Sequence, residues 1–329
     1  MLSSKKRICL LAEMAASARE EKTMSLIKGV LPALMTPLDK NGNVKTELAP
    51  AMLDFYKEQG ADGLYMLGWT GEGAYLPKEK RMQWTEAVLK ASDGTLPIFV
   101  HVGYNQNLDD SIELAAHAAE RGAYAVSSVG ISREASLQDN IDYFCRISEA
   151  APDTPFFIYW VDNGRTLTGD KPISPVEFLE AMKAVPTFRG IKFTDTNFYI
   201  LERFKKHAPE LNILTGADEL AYCSKQMGAD GNIGALQAVT CYHYKEMMRC
   251  LENGDYAKAR ELQYRANEVS EAYADERIGN MPGIKLLMKE IYGIDAGYCS
   301  LSGPFAGHEI AKKDAEYLME VFRKNILVK

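Results

Sequence analysis

The sequence predicts an α/β protein in which eight parallel strands, each followed by a helix, close into a TIM barrel with a helical extension behind it. Short apolar runs recur at regular intervals from Lys28 onward, and helical patterns fill the segments between them. After Ala235 the pattern is helical only. This alternation is typical of a parallel sheet covered by helices. An open doubly wound sheet would show the same alternation and stays open as the alternative.

The eight apolar runs have the length of strands. They are continuous rather than alternating, as expected for strands that are covered on both faces. They occupy residues 30–34, 63–67, 97–102, 123–126, 155–160, 188–193, 211–214 and 231–235.

Helix signals separate these runs. One apolar face is predicted by the spacing i, i+4, i+7, i+10 of Leu137, Ile141, Phe144 and Ile147. Ser174 and Glu177 form a capping box with Pro175 at the first helical position, so a helix begins there. Asn197 is expected to cap a helix over 198–207, and Asp218 one over 219–227.

The domain organisation follows from these elements. We expect a barrel over residues 27–238 and a C-terminal helical extension over 239–329, with three helices at 256–276, 284–292 and 308–322. Residues 1–26 are expected to be a disordered or partly helical extension, with Met24 as an alternative start. A cleaved signal peptide is the less favoured reading, because Glu13 interrupts the short apolar stretch after Lys5-Lys6-Arg7.

Composition excludes several classes of protein. The 329 residues are 47% hydrophobic and 25% charged, which is ordinary for a globular protein, and the net charge of −7 argues against a general nucleic-acid binder. No apolar run reaches the length of a membrane helix. Six scattered cysteines form no CxxC pair, so a reducing cytoplasm fits best. Neither the cysteines nor the five histidines show metal-ligand spacing, and we expect no metal site.

Lys192 is the strongest candidate functional residue. It stands between Ile191 and Phe193 in the sixth run, where a barrel strand offers no exposed edge. Buried lysine is rare without a partner or a purpose. Burial lowers the pKa of an amine, and neutral amine can attack a ketone to form a Schiff base. A structural salt bridge is the alternative.

Tyr159 and two glycine-containing turns are weaker candidates. Tyr159 ends an apolar strand and could shuttle a proton, although a plain core tyrosine is the commoner case. Gly68-Trp69-Thr70-Gly71-Glu72-Gly73 follows the second run and could bind a carboxylate through backbone N–H groups and the Thr70 hydroxyl. A plain strand-to-helix turn explains it equally well. Gly216-Ala217-Asp218-Glu219 could accept hydrogen bonds from substrate hydroxyls, or merely cap a helix.

Together these motifs resemble the family of N-acetylneuraminate lyase and dihydrodipicolinate synthase, the pyruvate-type class I aldolases, over about residues 27–325. The resemblance rests on 68–72, on Tyr159, on Gly190-Ile191-Lys192-Phe193-Thr194, and on the segments 216–219 and 228–234. It is closer to the lyase branch, because Phe198-Tyr199 follows the lysine motif and Gly216, Asp218 and Glu219 would meet the polyol end of a sugar acid.

The resemblance implies roles for single residues. Lys192 would form the Schiff base with a 2-oxo acid, and Tyr159 would relay the proton of C–C cleavage. Thr70, with Trp69 and Gly71, would hold the carboxylate of the oxo acid. The remaining implied substrate contacts are Thr194, Gly216, Asp218, Glu219 and Ala235. No cofactor or metal is implied, and the expected partners are pyruvate, a sugar-type aldehyde and three further copies in a homotetramer.

Four departures bear on the substrate. Trp69 replaces the usual Ser or Thr, Ala235 replaces a usual Ser, the segment 160–169 is longer than usual, and 130–133 lacks a tyrosine that many members use in the relay. Arg133 and Arg165 have no assigned role. Related imine chemistry (dihydrodipicolinate synthesis, sugar-acid dehydration or another aldol cleavage) and a non-catalytic 2-oxo acid binding barrel therefore remain the alternatives.

Overall fold

The computed structural model describes residues 26–104, 108–161, 164–168 and 173–327. The predicted N-terminal extension lies outside this part of the chain except for its last residue. Asn163, which with Gly164 forms a turn signal in the longer segment 160–169, and Gly169 at the end of that segment also lie outside it.

The strands form one all-parallel sheet that closes on itself. Their bounds are Gly29–Val30 (β1), Ala33–Leu34 (β2), Leu64–Met66 (β3), Ile98–Gly103 (β4), Ala125–Ser128 (β5), Phe156–Val161 (β6), Phe188–Thr194 (β7), Asn212–Thr215 (β8) and Gly231–Asn232 (β9). The sheet order runs β1-β9-β8-β7-β6-β5-β4-β3-β2.

The first strand closes the barrel. β1 and β2 are separated only by Leu31 and Pro32, so they are successive halves of one strand. β1 pairs with β9 and β2 pairs with β3, both in parallel. The Leu31 N–H donates to the Asn232 carbonyl at 2.8 Å, while the Pro32 carbonyl accepts from Tyr65 N at 3.1 Å. The predicted barrel is confirmed, and the open-sheet alternative is wrong.

Helices cover the barrel and extend beyond its last strand. The helix bounds are Ala49–Glu58, Lys78–Ser92, Leu108–Glu120, Leu137–Ala150, Arg165–Thr168, Pro175–Met182, Phe198–His207, Ala221–Gln226, Gln237–Glu252, Tyr256–Ala274, Asn280–Tyr292 and Lys312–Phe322, with short 3-10 turns at Thr46–Leu48, Gly73–Tyr75 and Asp218–Leu220 and a final π turn at Arg323–Leu327. No helix in the described ranges is both long enough and apolar enough to cross a bilayer.

The local helix signals were mostly correct. Ser174 forms the expected capping box with Glu177. Ile141, Phe144 and Ile147 are buried on one face of their helix. Two expected caps are wrong: Asn197 precedes its helix without a side-chain cap bond, and Asp218 belongs to a 3-10 turn and bonds elsewhere.

The C-terminal helices differ in detail from the expectation. A long helix over Gln237–Glu252, which the sequence reading did not separate, follows β9 directly. The last helix begins at Lys312, so His308 lies before it rather than in it.

Two apolar clusters separate the inside of the barrel from its outside. The large cluster lies between strands and helices and includes Ile191 and Phe193. The small one fills the barrel interior with Leu31, Ala33, Tyr65, Phe99, Ala125, Phe157, Leu214 and Ile233. Since side chains alternate along a strand, Lys192 shares the inner face with this second cluster. The barrel core therefore ends, toward the carboxyl ends of the strands, in polar rather than apolar side chains.

Candidate active site

Lys192 and Tyr159 face each other across two adjacent strands. They lie opposite each other in the β6–β7 pairing, and the next pair along these strands is Trp160 and Phe193. The Lys192 Nζ atom lies 4.3 Å from the centre of the Tyr159 ring. The residues that the sequence singled out independently are thus brought together at the carboxyl ends of the strands, where barrel enzymes place their chemistry.

Lys192 is buried without a counterion close by. Its relative exposure is 4%, and among the described residues no carboxylate oxygen lies within 4.0 Å of Nζ. Burial lowers the pKa of this lysine to about 7, while the more distant charge of Asp218 opposes the shift. A large share of the side chain is therefore neutral amine near pH 7. The salt-bridge alternative for Lys192 does not describe this structure.

Tyr159 keeps its proton in this setting. Burial raises the pKa of its phenol, and the nearby Thr194 hydroxyl opposes that change. Thr194 lies two residues after Lys192 on the same inner face of β7. Its Oγ1 would clash with a Cβ at position 216, only 1.8 Å away, so Gly216 leaves the room that this hydroxyl occupies. The phenol and the hydroxyl are adjacent proton-carrying groups beside the amine.

The Gly68–Gly73 loop after β3 folds tightly over the amine. Leu67 and Glu72 both adopt positive φ, at 59° and 56°, and a Cβ at Gly71 would lie 2.5 Å from the Leu67 backbone nitrogen. A Cβ at Gly68 would lie 3.8 Å from Lys192 Nζ, so the loop backbone passes close to it. Positive φ outside glycine costs energy and persists where surrounding contacts determine it.

Within this loop, Thr70 and Trp69 point to different surroundings. Thr70 is 5% exposed, whereas Trp69 is 45% exposed and packs edge-on against Tyr75 with ring centres 6.0 Å apart. The Thr70 side chain is therefore enclosed by protein, whereas the indole ring of Trp69 lies largely at the surface.

A buried ion pair between Glu72 and Lys285 supports the Gly68–Gly73 loop. The Glu72 carboxylate lies 2.9 Å from the Lys285 ammonium, and both side chains are almost fully buried. Glu72 also accepts the Ser300 N–H at 2.6 Å, and Lys285 donates to the Thr36 carbonyl at 2.9 Å. The Thr36 hydroxyl in turn donates to the Gly71 carbonyl at 2.6 Å. The C-terminal helices are thereby connected to the backbone of the loop.

Asp218 acts electrostatically on the Lys192 amine and is itself partly hydrogen-bonded. Its carboxylate accepts the Leu236 N–H at 2.9 Å, and the N–H groups of Ala235 and Gln237 also face it. It therefore caps the helix that begins at Gln237 rather than its own. Burial raises its pKa to about 7, with the charge of Glu219 as the second cause. Its Oδ1 atom is buried and has no hydrogen-bond partner among the described residues.

The other predicted polyol contacts lie at the outer part of this region. Glu219 is exposed, and Ala235 is half-buried. Arg133 and Arg165 are exposed as well. In the longer segment, Arg165–Thr168 forms one helical turn, and Trp160 is buried with its indole N–H donating to Asp195 at 3.2 Å. Within the described ranges, no cluster of three or more side chains has the make-up of a metal site.

Comparison with known proteins agrees with this arrangement. The model of the Dihydrodipicolinate synthetase family matches residues 26–316. The chain belongs to this family.

Its relatives point to one branch. An N-acetylneuraminate lyase of Mediterraneibacter gnavus is 32% identical over 292 residues, which cover 86% of this chain and 90% of that protein. Another, from Xenopus tropicalis, is 30% identical over 275 residues, covering 82% and 88%. These similarities support the lyase branch of the dihydrodipicolinate synthetase family.

Solved structures show the same fold. The sialic acid aldolase of Ruminococcus gnavus is 27% identical, with a TM-score of 0.80 over 91% of this chain and 99% of that one. CdNal of Clostridium difficile in complex with mannosamine is 26% identical, with a TM-score of 0.81 over 92% and 100%.

Sequence reasoning missed two residues of this family member's barrel interior. Tyr65 and His101 are buried polar side chains in β3 and β4, and Tyr65 lies beside Lys192. Both stand inside apolar runs, as Lys192 does, so the signal that identified the lysine could have identified them. Glu72 and Lys285 were missed as a pair because they lie 213 positions apart in the sequence.

Proposed function

We propose that this protein is a Schiff-base-forming class I aldolase that reversibly cleaves a 2-oxo sugar acid, of the N-acetylneuraminate type, to pyruvate and an aldehyde. The observation that carries the proposal is the buried Lys192 amine, which lies against the ring of Tyr159 and has no carboxylate oxygen of the described residues within 4.0 Å. The similarity to N-acetylneuraminate lyases supports the same reaction. One related solved structure is of a catalytic lysine mutant of the Ruminococcus gnavus sialic acid aldolase.

The chemistry begins at the neutral amine. Lys192 Nζ attacks the keto carbon of the substrate, and loss of water leaves a protonated imine. When the C3–C4 bond breaks, its electron pair moves toward this cation and forms an enamine. The C4 hydroxyl loses its proton and the aldehyde departs. Protonation of the enamine at C3, followed by hydrolysis, releases pyruvate and the free amine.

Tyr159 is the proposed proton relay for the C4 hydroxyl. A phenol is already protonated at neutral pH, and burial raises the pKa of Tyr159 further, so this residue acts by passing a proton along rather than as a standing phenolate. The adjacent Thr194 hydroxyl gives that proton a path within the site.

The Gly68–Gly73 loop is the proposed carboxylate site. Thr70 is buried in this loop, whose backbone passes close to Lys192 Nζ at Gly68. The proposed donors are the Thr70 hydroxyl and the backbone N–H groups of Trp69 and Gly71. Such converging donors suit an anion. A carboxylate held here would place the neighbouring keto carbon toward Lys192.

The polyol end of the substrate is proposed to meet Gly216, Asp218, Glu219 and Ala235. Asp218 offers its Oδ1 atom, which has no hydrogen-bond partner in the described part of the chain, and the next residue, Glu219, is exposed. Ala235 supplies no hydroxyl, so a hydrogen bond that a serine would make is lost there. We therefore expect weaker selection for the sugar part than for the oxo acid part.

A substrate panel tests the proposal. Pyruvate release would be measured with N-acetylneuraminate and with shorter and differently substituted 2-oxo sugar acids. We expect release from at least one of them, with Lys192→Ala inactive on all. Dihydrodipicolinate synthesis or dehydration of a sugar acid as the main turnover would replace the proposal, and pyruvate binding without any turnover would indicate a binding barrel.

We further propose a cytoplasmic homotetramer, in which residues 27–238 form the barrel unit and 239–329 supply part of the contacts between copies. Sedimentation at low concentration checks the assembly. A single species of monomer mass across the concentration range would contradict it.

A further inference from the structure

Tyr65 forms a second aromatic wall beside the reactive nitrogen. The Lys192 Nζ atom lies 4.0 Å from the centre of the Tyr65 ring, slightly closer than to the Tyr159 ring. The two rings are 6.4 Å apart and nearly perpendicular, at 77°. We call this pair the aromatic corner. The nitrogen lies in front of both rings, which is the geometry of a cation–π contact.

The Tyr65 ring is fixed by buried hydrogen bonds. Its hydroxyl donates to Ser127 Oγ at 3.0 Å and lies 2.9 Å from His101 Nδ1. Both partners are fully buried on the inner faces of β5 and β4. On the other side, a Cβ at position 68 would lie 2.7 Å from the Tyr65 ring edge, so Gly68 leaves the room that this ring occupies.

The charge on Nζ changes during the proposed reaction, and this inference rests on that proposed function. The nitrogen is neutral when it attacks, cationic in the protonated imine, and neutral again in the enamine. A pocket without water favours the neutral amine and disfavours the cationic imine. A nearby carboxylate would stabilise the cation, but it would also keep the free amine protonated.

An aromatic face acts differently. Its quadrupole attracts a cation within about 6 Å, more weakly than a full charge does, and it cannot take the proton. Because the imine nitrogen is Nζ itself, an imine that forms without movement of this atom keeps the 4.0 Å distance to the Tyr65 ring centre.

We propose that Tyr65 is a catalytic residue that stabilises the cationic imine on Lys192 through its ring face, and that His101 and Ser127 are positioning residues that hold this ring.

The test compares Tyr65→Leu with Phe99→Leu. Phe99 is a fully buried aromatic residue of the same inner cluster. In the described structure the rings that face Lys192 Nζ are those of Tyr65 and Tyr159, so the Phe99 variant controls for lost packing. The readout is the rate of borohydride trapping with pyruvate, together with kcat for pyruvate release. We expect Tyr65→Leu to lower both about tenfold or more, and Phe99→Leu to lower them less than threefold. Equal losses in the two variants would overturn the proposal.

A second measurement avoids a folding defect. Tyr65 would be replaced by phenylalanine and by phenylalanines with one, two and three ring fluorines, which keep the shape and weaken the ring face stepwise. A stepwise fall of the trapping rate across the series supports the proposal, and a flat series overturns it. If the wild-type protein is trapped at Lys192 but the fluorinated series shows no trend, the aldolase proposal still stands. If the wild-type protein is not trapped, the aldolase proposal itself is wrong.

Discussion

Lys192 and Tyr159 are direct register partners on neighbouring strands, and the lysine nitrogen lies 4.3 Å from the centre of the tyrosine ring. The pairing is parallel and buried on both faces, so backbone hydrogen bonds of the barrel fix their relative position. A nucleophile and a proton-carrying group are thereby held together before any substrate enters. Such preorganisation lowers the entropic cost of the reaction.

The Tyr159→Phe variant distinguishes the role of the Tyr159 phenol from that of the Lys192 amine. Because the phenol would carry the proton of C–C cleavage but not the attack on the ketone, we expect kcat for pyruvate release to fall about 10²–10⁴-fold. Imine trapping with pyruvate should change much less. Tyr143→Phe is the control, since Tyr143 is also buried and its hydroxyl bonds only to Ser111 and Ser128 in the described structure. A similar fall in both variants would point to packing rather than proton transfer.

The pH dependence of imine formation follows from the amine. Burial lowers the Lys192 pKa to about 7, so we expect the trapping rate to rise with pH up to that value and to level off above it. Asp218→Asn removes a charge that raises this pKa, and the inflection should move to lower pH. An inflection near the ordinary lysine value would contradict the burial argument.

The same shift affects stability. The folded pKa lies below the unfolded one, so between about pH 7 and the ordinary lysine range the unfolded chain binds the extra proton, and stability rises with pH. Below about pH 7 both states are protonated and the cost of burying the charge is at its full value. The free energies of unfolding of the wild type and of Lys192→Met, measured with denaturant, should therefore differ more at pH 7 than at pH 10. A difference independent of pH would contradict this expectation.

Breaking the buried ion pair should affect both stability and the loop. We expect Lys285→Met to lower the free energy of unfolding by about 3–5 kcal/mol, because it leaves the Glu72 charge buried and unpaired. KM for the oxo acid should rise more than kcat falls, since Glu72 shapes the Gly68–Gly73 loop. The control is Lys183→Met, which removes an exposed pair with Glu180 and should cost less than about 1 kcal/mol. Equal effects of the two variants would contradict the role of the buried pair.

Trp69→Ser tests the rim of the carboxylate site. The change removes an exposed ring and adds a hydroxyl donor beside Thr70. One added hydrogen bond is worth about 0.5–1.5 kcal/mol, so we expect KM for pyruvate in the synthesis direction to fall about two- to tenfold. Thr70→Val replaces the hydroxyl with a methyl group of similar size, and this variant should raise the KM for pyruvate. An unchanged KM in both variants would contradict the proposal that the Gly68–Gly73 loop binds the carboxylate.

The sequence predicted the barrel and the central pair well. Lys192 was recognisable because a charged residue inside an apolar strand is costly and therefore needs a reason. Tyr65 and His101 carry the same signal more weakly, because tyrosine and histidine are often buried with a hydrogen-bond partner.

Other features depend on contacts that local sequence does not encode. Glu72 meets Lys285 only after the whole barrel has closed. Asp218 caps the helix that begins at Gln237, not its own, because the chain returns beside β8 through β9. Helix-start signals are local, whereas the partner of a carboxylate is decided by tertiary structure.

The most direct test of the account is borohydride reduction in the presence of pyruvate, followed by peptide mass spectrometry. The account predicts that the reduced imine appears on the peptide containing Lys192 and disappears in Lys192→Ala. No adduct, or an adduct that persists in Lys192→Ala, would contradict it.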